Sequence, residues 1–326
     1  METDTTNGTP APAPESAPAA SGLSRWLLPH LSDWVFASLL LWLFFGHGAA
    51  RTLMADGDTG WHIRTGEYVL ANWAFPKVDL FSFSMEGKTW FAWEWFSDVL
   101  LALAYDTAEL KGVVLLAGVV IAATAAALLR YMLWLGVNVL LAVFFLMVSM
   151  SASMVHWLAR PHMFTWGLLL ITIWLLEADR RNNSRRIYWL VPIVVVWTNT
   201  HGGFLTLLMA VGVYAVGTGL EQMWAAYDSH PERFSWHIPA AVKRYGLVLL
   251  LCSAGTLVNP YGYQLHVHIA GYVGSDFILN NVQEFQSPNF RGESMLVYEG
   301  FLLLGLILLV RLVKRRELAQ ALLLLA

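Results

Sequence analysis

The chemistry this chain could do is written most densely in Met54–Gly66, MADGDTGWHIRTG, which carries Asp56, Asp58, His62 and Arg64. Asp56 and Asp58 are too close in sequence to share a helical face, but Gly57 lets the backbone bend so that both could point at one site. Neighbouring carboxylates raise one another's pKa, one route to a general base near neutral pH. The same pair could hold a divalent cation through oxygen ligands, or serve only as a helix N-cap and a solvated loop acid. His62 follows Asp58 by four residues, on the same helical face, and Trp61, Trp93 and Trp95 offer flat ring surfaces. Interface anchoring accounts for these tryptophans as well.

Three later motifs add polar groups to an apolar background. Arg160-Pro161-His162 sits between two apolar runs, where the forked guanidinium suits a phosphate; a snorkelling interface anchor is the simpler alternative. Trp197–Gly203, WTNTHGG, interrupts a long apolar run with Asn199 and His201, as a polar break or as a plain connecting turn. Asn259-Pro260-Tyr261-Gly262 opens a 259–295 loop with His266, His268, Glu284 and Arg291. That loop mixes apolar and polar groups as a lid over an amphiphilic ligand would, or as a passive interfacial loop does.

The elements that must position these residues are mostly hydrocarbon-compatible. Of 326 residues 57% are hydrophobic and 13% charged, with a mean hydropathy of +0.54. Apolar runs approaching the ~20 residues needed to cross a ~30 Å hydrocarbon core imply an all-α polytopic membrane protein. The expected spans are 34–50, 112–129, 137–155, 163–176, 187–198, 203–220, 245–258 and 296–310, about eight or nine with a final apolar stretch at 318–326. That last stretch stops in mid-helix, as if the chain were C-terminally truncated or the helix docked incompletely. Residues 1–22, rich in Pro, Ala, Ser and Thr, read as a disordered cytoplasmic tail, and 23–326 as one transmembrane domain. Within it, 51–110 is the long first extracytoplasmic loop. A short amphipathic helix capped by Asp58 or Thr59 runs to about Asn72, a hairpin pairs 81–84 with 89–92 around Glu86-Gly87-Lys88, and 94–105 forms an interfacial helix.

Charge sets the expected orientation. With the N-terminus cytoplasmic and 94–105 not spanning, the inner side collects thirteen basic residues, among them Arg25, Arg180, Arg181, Arg185, Arg186, Arg233 and Arg316, against seven outside. Asp56, Asp58, His62, Arg160, His162, Asn199, His201, Asn259 and Glu284 then fall together at or near the outer face. The net charge of −3 gives no basic surface for nucleic acid, and the single Cys252 excludes both an intrachain disulfide and a thiolate metal site.

The motifs also carry a resemblance. DGDTGWHIRTGEYVLANWAFPKVDLFSFSMEGKTWFAWEW, RPHMFTW, WTNTHGGF, NPYG and VQEFQSPNF, in that order between about 30 and 310, resemble a family of bacterial multi-spanning proteins. That family is similar to the GT-C class of membrane glycosyltransferases, whose relatives include protein mannosyltransferases and lipid A aminoarabinose transferases. The resemblance implies a multi-pass protein of the bacterial cytoplasmic membrane that moves a sugar from a polyprenyl-phosphate-linked donor at the outer face. The catalytic base of that class maps onto Asp56 or Asp58. Here the two acids are arranged as DGD, where protein mannosyltransferases carry an adjacent acidic pair. Arg160, with His162 or His201, would stabilise the departing lipid phosphate, and His62, Trp61, Asn199, Asn259 and Glu284 would line the substrate. The resemblance fixes no cofactor beyond a divalent cation that the acidic pair could bind, and no oligomeric state. Two other classes stay open: a lipid or solute transporter, which favours ionisable groups near the midplane and internal repeats, and a non-catalytic membrane scaffold in contact with lipid alone.

Overall fold

In a computed structural model the described residues are 29–229, 231, 238–282, 285–287, 289–292 and 295–326. The expected tail at 1–22, Arg25, Arg233 and Glu284 lie outside them. The described residues form an all-α protein with several long apolar helices. In chain order these are α1 (Leu31–Phe45), α2 (Ala49–Leu53), α3 (Asp58–Asn72), α4 (Trp95–Trp134), α5 (Val139–Ser153), α6 (His162–Asn182), α7 (Leu190–Thr198), α8 (Leu205–Ser229), α9 (Ala240–Gly255), α10 (Gln264–Val273), α11 (Asp276–Asn281), α12 (Leu296–Lys314) and α13 (Leu318–Leu325).

Among the described residues four helical segments are long and apolar enough to cross a membrane: Trp95–Trp134, Val139–His156, Gly202–Ser229 and Leu296–Lys314. That is fewer than the eight or nine spans expected from apolar runs. Length accounts for three of them: α1 has 15 residues, α7 has 9 and α9 has 16, so each falls short of the ~20 that a ~30 Å core requires, while α6 is long enough but carries Glu177, Asp179, Arg180 and Arg181 towards its end. None of the residues of α12 is buried, and Leu303, Leu306 and Ile307 are more than 60% exposed. An apolar helix bare of protein on that scale fits a lipid environment and not an aqueous one.

Three places compare directly with the expected elements, and the first of them keeps 94–105 apart from the next apolar run as expected. The 40 residues of α4 are not one rod: Ala108 (φ −152°, ψ 28°) and Glu109 (φ 52°, ψ −144°) leave helical geometry. The bend brings the Ala104 carbonyl against Gly112, where a Cβ would lie 1.9 Å from that oxygen. In a straight helix those residues would be roughly 12 Å apart. Residues 95–107 are therefore an arm distinct from the one that follows. The hairpin after α3 pairs Val78 with Thr89, not 81–84 with its partner. Asp79 pulls 81–82 into a turn by accepting from both backbone N–H groups, at 2.8 and 3.0 Å, and Gly87 closes the loop at φ 75°. Finally, α13 packs on α8 through its first turns: Ala319 and Ala321 are buried, a Cβ on Gly217 would lie 2.3 Å from the Ala319 Cα, and Leu324 and Leu325 at its end are exposed.

Three apolar cores share the bundle, and the smallest joins α4 to α5 through Ala125, Leu129, Ala142 and Leu146. Of the two larger, one joins α1, α3, α4 and α6 through Leu43, Ile63, Leu101, Val113, Trp157 and Met163. The other joins α6–α9 and α13 through Trp197, Phe204, Val211, Tyr214, Tyr245 and Cys252. The seam between them is stitched by backbone and side-chain bonds: Phe96 N–H donates to the Asn199 carbonyl at 3.0 Å, Ser97 Oγ to the Thr200 carbonyl at 2.6 Å, and Ala92 N–H to Tyr261 Oη at 2.8 Å. The polar residues singled out above collect at this seam.

Polar groups also collect at the far end of α6. Glu177 bonds Arg180 at 2.9 Å and Arg181 at 2.7 Å, and Asp179 bonds Arg244 at 2.7 Å. The 21 residues of α6 rise about 30 Å, so the seam and this basic layer stand one hydrocarbon thickness apart.

Candidate functional site

The site is assembled from four chain segments. Gly57 precedes the first turn of α3, and Asp56 Oδ1 accepts the Asp58 backbone N–H at 2.7 Å, a turn that carries both acids to one side. Thr59 Oγ1 donates to the Ala159 carbonyl at 3.2 Å, and Ala159 N–H to the Leu53 carbonyl at 2.8 Å. These bonds bring the 158–161 turn onto the start of α3. The Arg160 guanidinium then reaches both acids, Nη1 at 2.9 Å from Asp56 Oδ2 and Nη2 at 2.8 Å from Asp58 Oδ2. Asp58 and His62 are not paired, although four residues apart, because Arg160 takes Asp58 and α4 takes His62. Both oxygens of Asp56 have partners. Asp58 is the more open acid, 46% exposed against 18%.

Behind this pair lies a buried acid–imidazole cluster. His62 Nδ1 is 2.6 Å from Asp98 Oδ1, and both side chains are 1% exposed. His62 Nε2 faces Glu94 Oε2 at 3.9 Å, and His201 Nε2 faces Glu94 Oε1 at 3.6 Å. The His201 tautomer follows from its neighbours. Gly203 N–H donates to Nδ1 at 3.0 Å, so Nδ1 is the bare nitrogen and Nε2 carries the proton towards Glu94. Trp197 Nε1 donates to Thr165 Oγ1 at 3.0 Å, which turns the Thr165 hydroxyl proton onto the same Nδ1 at 2.8 Å.

Burial dominates the electrostatics. It pushes the Glu94 carboxyl from 4.5 up to about 8, against the opposing pull of Arg160, the Trp93 indole and the Gly202 backbone, with Asp58 adding to the rise. Burial likewise holds His62 well below its ordinary value, with Arg160, His201 and His162 in the same direction. It takes His201 down to about 3, assisted by His162 and Arg160. Near neutral pH the cluster therefore holds a protonated acid between two neutral imidazoles.

The remaining candidates are placed as follows. Trp61 stacks on His62, ring centroids 3.6 Å apart, and meets Trp90 edge-on at 5.4 Å. His162 Nε2 bonds the His156 carbonyl at 2.7 Å, its ring 6.4 Å from His201. Asn199 is 8% exposed and joins elements: its amide nitrogen donates to the Val195 and Val258 carbonyls, both at 2.8 Å, and its oxygen accepts from Trp95 Nε1 at 2.7 Å. Asn259 holds the turn before α10, its oxygen accepting Tyr261 N–H at 2.8 Å. Among the described residues no group of three or more His, Cys, Asp or Glu is arranged to hold a metal ion.

Sequence reasoning passed over Glu94 and Asp98, which it placed in an apolar interfacial helix. The signal was present in FAWEWF: a carboxylate flanked by tryptophans on both sides has no solvent to ionise into. Thr165, four residues before Leu169 in an unbroken apolar helix, carried no such signal.

Models of known protein families, curated proteins and solved structures give no match to this chain.

Proposed function

We propose that this chain is a membrane glycosyltransferase of GT-C-like design, moving a sugar from a polyprenyl-phosphate-linked donor to a hydroxyl acceptor at the outer face of a bacterial cytoplasmic membrane. The observation that carries the reading is the fork of Arg160 on Asp56 and Asp58 beside buried Glu94: acids and a phosphate-competent cation, drawn from distant segments, meet at one end of an apolar bundle. In this reading α4, α5, α8 and α12 cross together with α6 and with α1, α7 and α9, whose short helices are completed by the chain that flanks them, which makes eight crossings with α13 as a ninth apolar element. The basic layer around Arg180 and Arg244 is then cytoplasmic, and the seam faces outward.

Asp58 is the base of choice, since Asp56 is tied at both oxygens. Its carboxylate takes the proton of the acceptor hydroxyl as that oxygen attacks the anomeric carbon. The bond from that carbon to the phosphate oxygen breaks, the pair of electrons stays with the phosphate, and configuration inverts. Arg160 offers charge where the phosphate leaves. Trp61 and Trp90 present ring surfaces on which a sugar can stack.

The test is sugar transfer from polyprenyl-phosphate-linked donors by the full chain in membranes. Asp58→Asn is expected to lose at least about a hundredfold in kcat and Asp56→Asn less. Full activity in both variants and in the double variant overturns the assignment.

A further inference from the structure

Glu94 is the group that a single base does not explain. A carboxyl that only anchors a helix would sit at solvent or be matched by a buried cation. This one, 12% exposed, is met by two imidazole Nε2 atoms, each anchored through its other nitrogen: His62 by Asp98 and His201 by Gly203 N–H and Thr165. The titratable groups that face it come from every surrounding element: His62 on α3, His201 before α8, Asp98 one turn along α4, and Arg160 and Asp58 at the mouth. Two anchored rings face the carboxyl at 3.9 and 3.6 Å, the Trp93 side chain and the Gly202 backbone bond it, and the guanidinium that would receive a phosphate is near enough to act on its charge. A protonated acid so placed can give a proton.

We propose that Glu94 is the proton donor of this site, giving its proton to the departing phosphate oxygen while Asp58 takes that of the acceptor hydroxyl. The inference rests on the transferase reading and adds to it a second catalytic residue and two positioning pairs, His62–Asp98 and His201–Thr165. The step balances. The acceptor O–H bond and the sugar–phosphate C–O bond break; the new C–O bond, an Asp58 O–H and a phosphate O–H form. Glu94 is left ionised and Asp58 protonated, and exchange with water restores both before the next turnover.

Two measurements on the full chain test it. In the transfer assay, the rate falls above pH 8 in the wild type as Glu94 loses its proton. Glu94→Gln keeps the shape but not the proton, so kcat drops by about 10²–10⁴-fold and the alkaline limb disappears, while Glu94→Asp restores part of both. Wild-type kcat in Glu94→Gln with an unchanged alkaline limb overturns the proposal. The second measurement needs no transfer: binding of farnesyl phosphate, with farnesol as the phosphate-free control. Wild-type affinity falls about tenfold from pH 7 to 9 as the donor is lost, farnesol binding stays level, and Glu94→Gln binds farnesyl phosphate weakly and without that trend. A wild-type affinity that is level from pH 7 to 9, or an identical trend in Glu94→Gln, overturns the proposal. If no donor supports transfer but the pH-linked binding is present and lost in Glu94→Gln, the transferase reading falls and Glu94 stands as a proton donor to phosphate.

Discussion

His62 Nδ1 lies 2.6 Å from Asp98 Oδ1 across the α3–α4 contact, with a single proton between two side chains sealed from water. Removing either partner strands the other without solvent, which costs about 1–3 kcal/mol; removing both strands neither. A double-mutant cycle of His62→Phe and Asp98→Leu, read by denaturant unfolding, should therefore give a coupling of about 1–3 kcal/mol. Simple additivity would show that the bond contributes nothing beyond packing.

Arg160 spans two carboxylates with two different nitrogens, a task a lysine ammonium cannot share out in the same way. Arg160→Lys should behave nearly as Arg160→Ala in turnover. The stability lost should be no more than about 1 kcal/mol, because the pair is partly solvated. Comparing kcat and the thermal midpoint across the two variants checks this; full rescue by lysine would mean that charge alone suffices.

The pH dependence of stability has two opposed contributions. Glu94 keeps its proton up to about 8 when folded but releases it near 4.5 when unfolded, so its contribution is lost as pH rises between those values. His201 stays neutral down to about 3 when folded and takes a proton near 6.5 when unfolded, so its contribution is lost as pH falls between them. From 4.5 to 6.5 the two oppose each other. Glu94 acts alone from there to about 8, and His201 alone from 4.5 down to about 3. Thermal unfolding across this range should show Glu94→Gln removing the alkaline decline and His201→Gln the acid one. Unchanged profiles would place both groups in contact with solvent.

Gly60 and Gly66 lie on the same helix and should respond oppositely to alanine. A Cβ on Gly66 would stand 2.0 Å from the Asp98 carbonyl oxygen and 2.7 Å from the Ala102 Cβ, while one on Gly60 meets nothing within 4 Å. Gly66→Ala must push α3 off α4 and disturb His62–Asp98, costing about 3 kcal/mol or more. Gly60→Ala should gain about 0.5–1 kcal/mol from helix propensity. Thermal midpoints of the two variants decide it.

What was legible in the chain was local. The end of α3 at Asn72, the turn at Gly87 and the separation of 94–105 from the next apolar run all follow from breakers and run lengths. The convergence of Asp56, Asp58, Arg160 and His201 was legible as a shared end of the bundle, through charge counting. What did not follow was who touches whom. Asp58 lies four residues from His62, yet it is claimed by Arg160, about a hundred positions away, through the Thr59–Ala159 bond. Glu94 escaped notice because a run of aromatics around one acid reads as an interface from composition alone. Its two histidine neighbours arrive from other segments. The hairpin register was missed because Asp79 turns the chain with its side chain, and alternation of apolar residues does not register that.

In the proposed topology the bend at Ala108 and Glu109 governs sidedness. A rod of 40 residues would extend about 60 Å, twice the thickness of a hydrocarbon core, and could not lie along one crossing. By breaking there, the chain contributes a single traverse from α4 and leaves the first arm at the level of the site it supplies with Asp98. In the proposed topology the parity of everything downstream, and with it which compartment meets Arg180 and which meets Asp58, follows from the backbone angles of two residues.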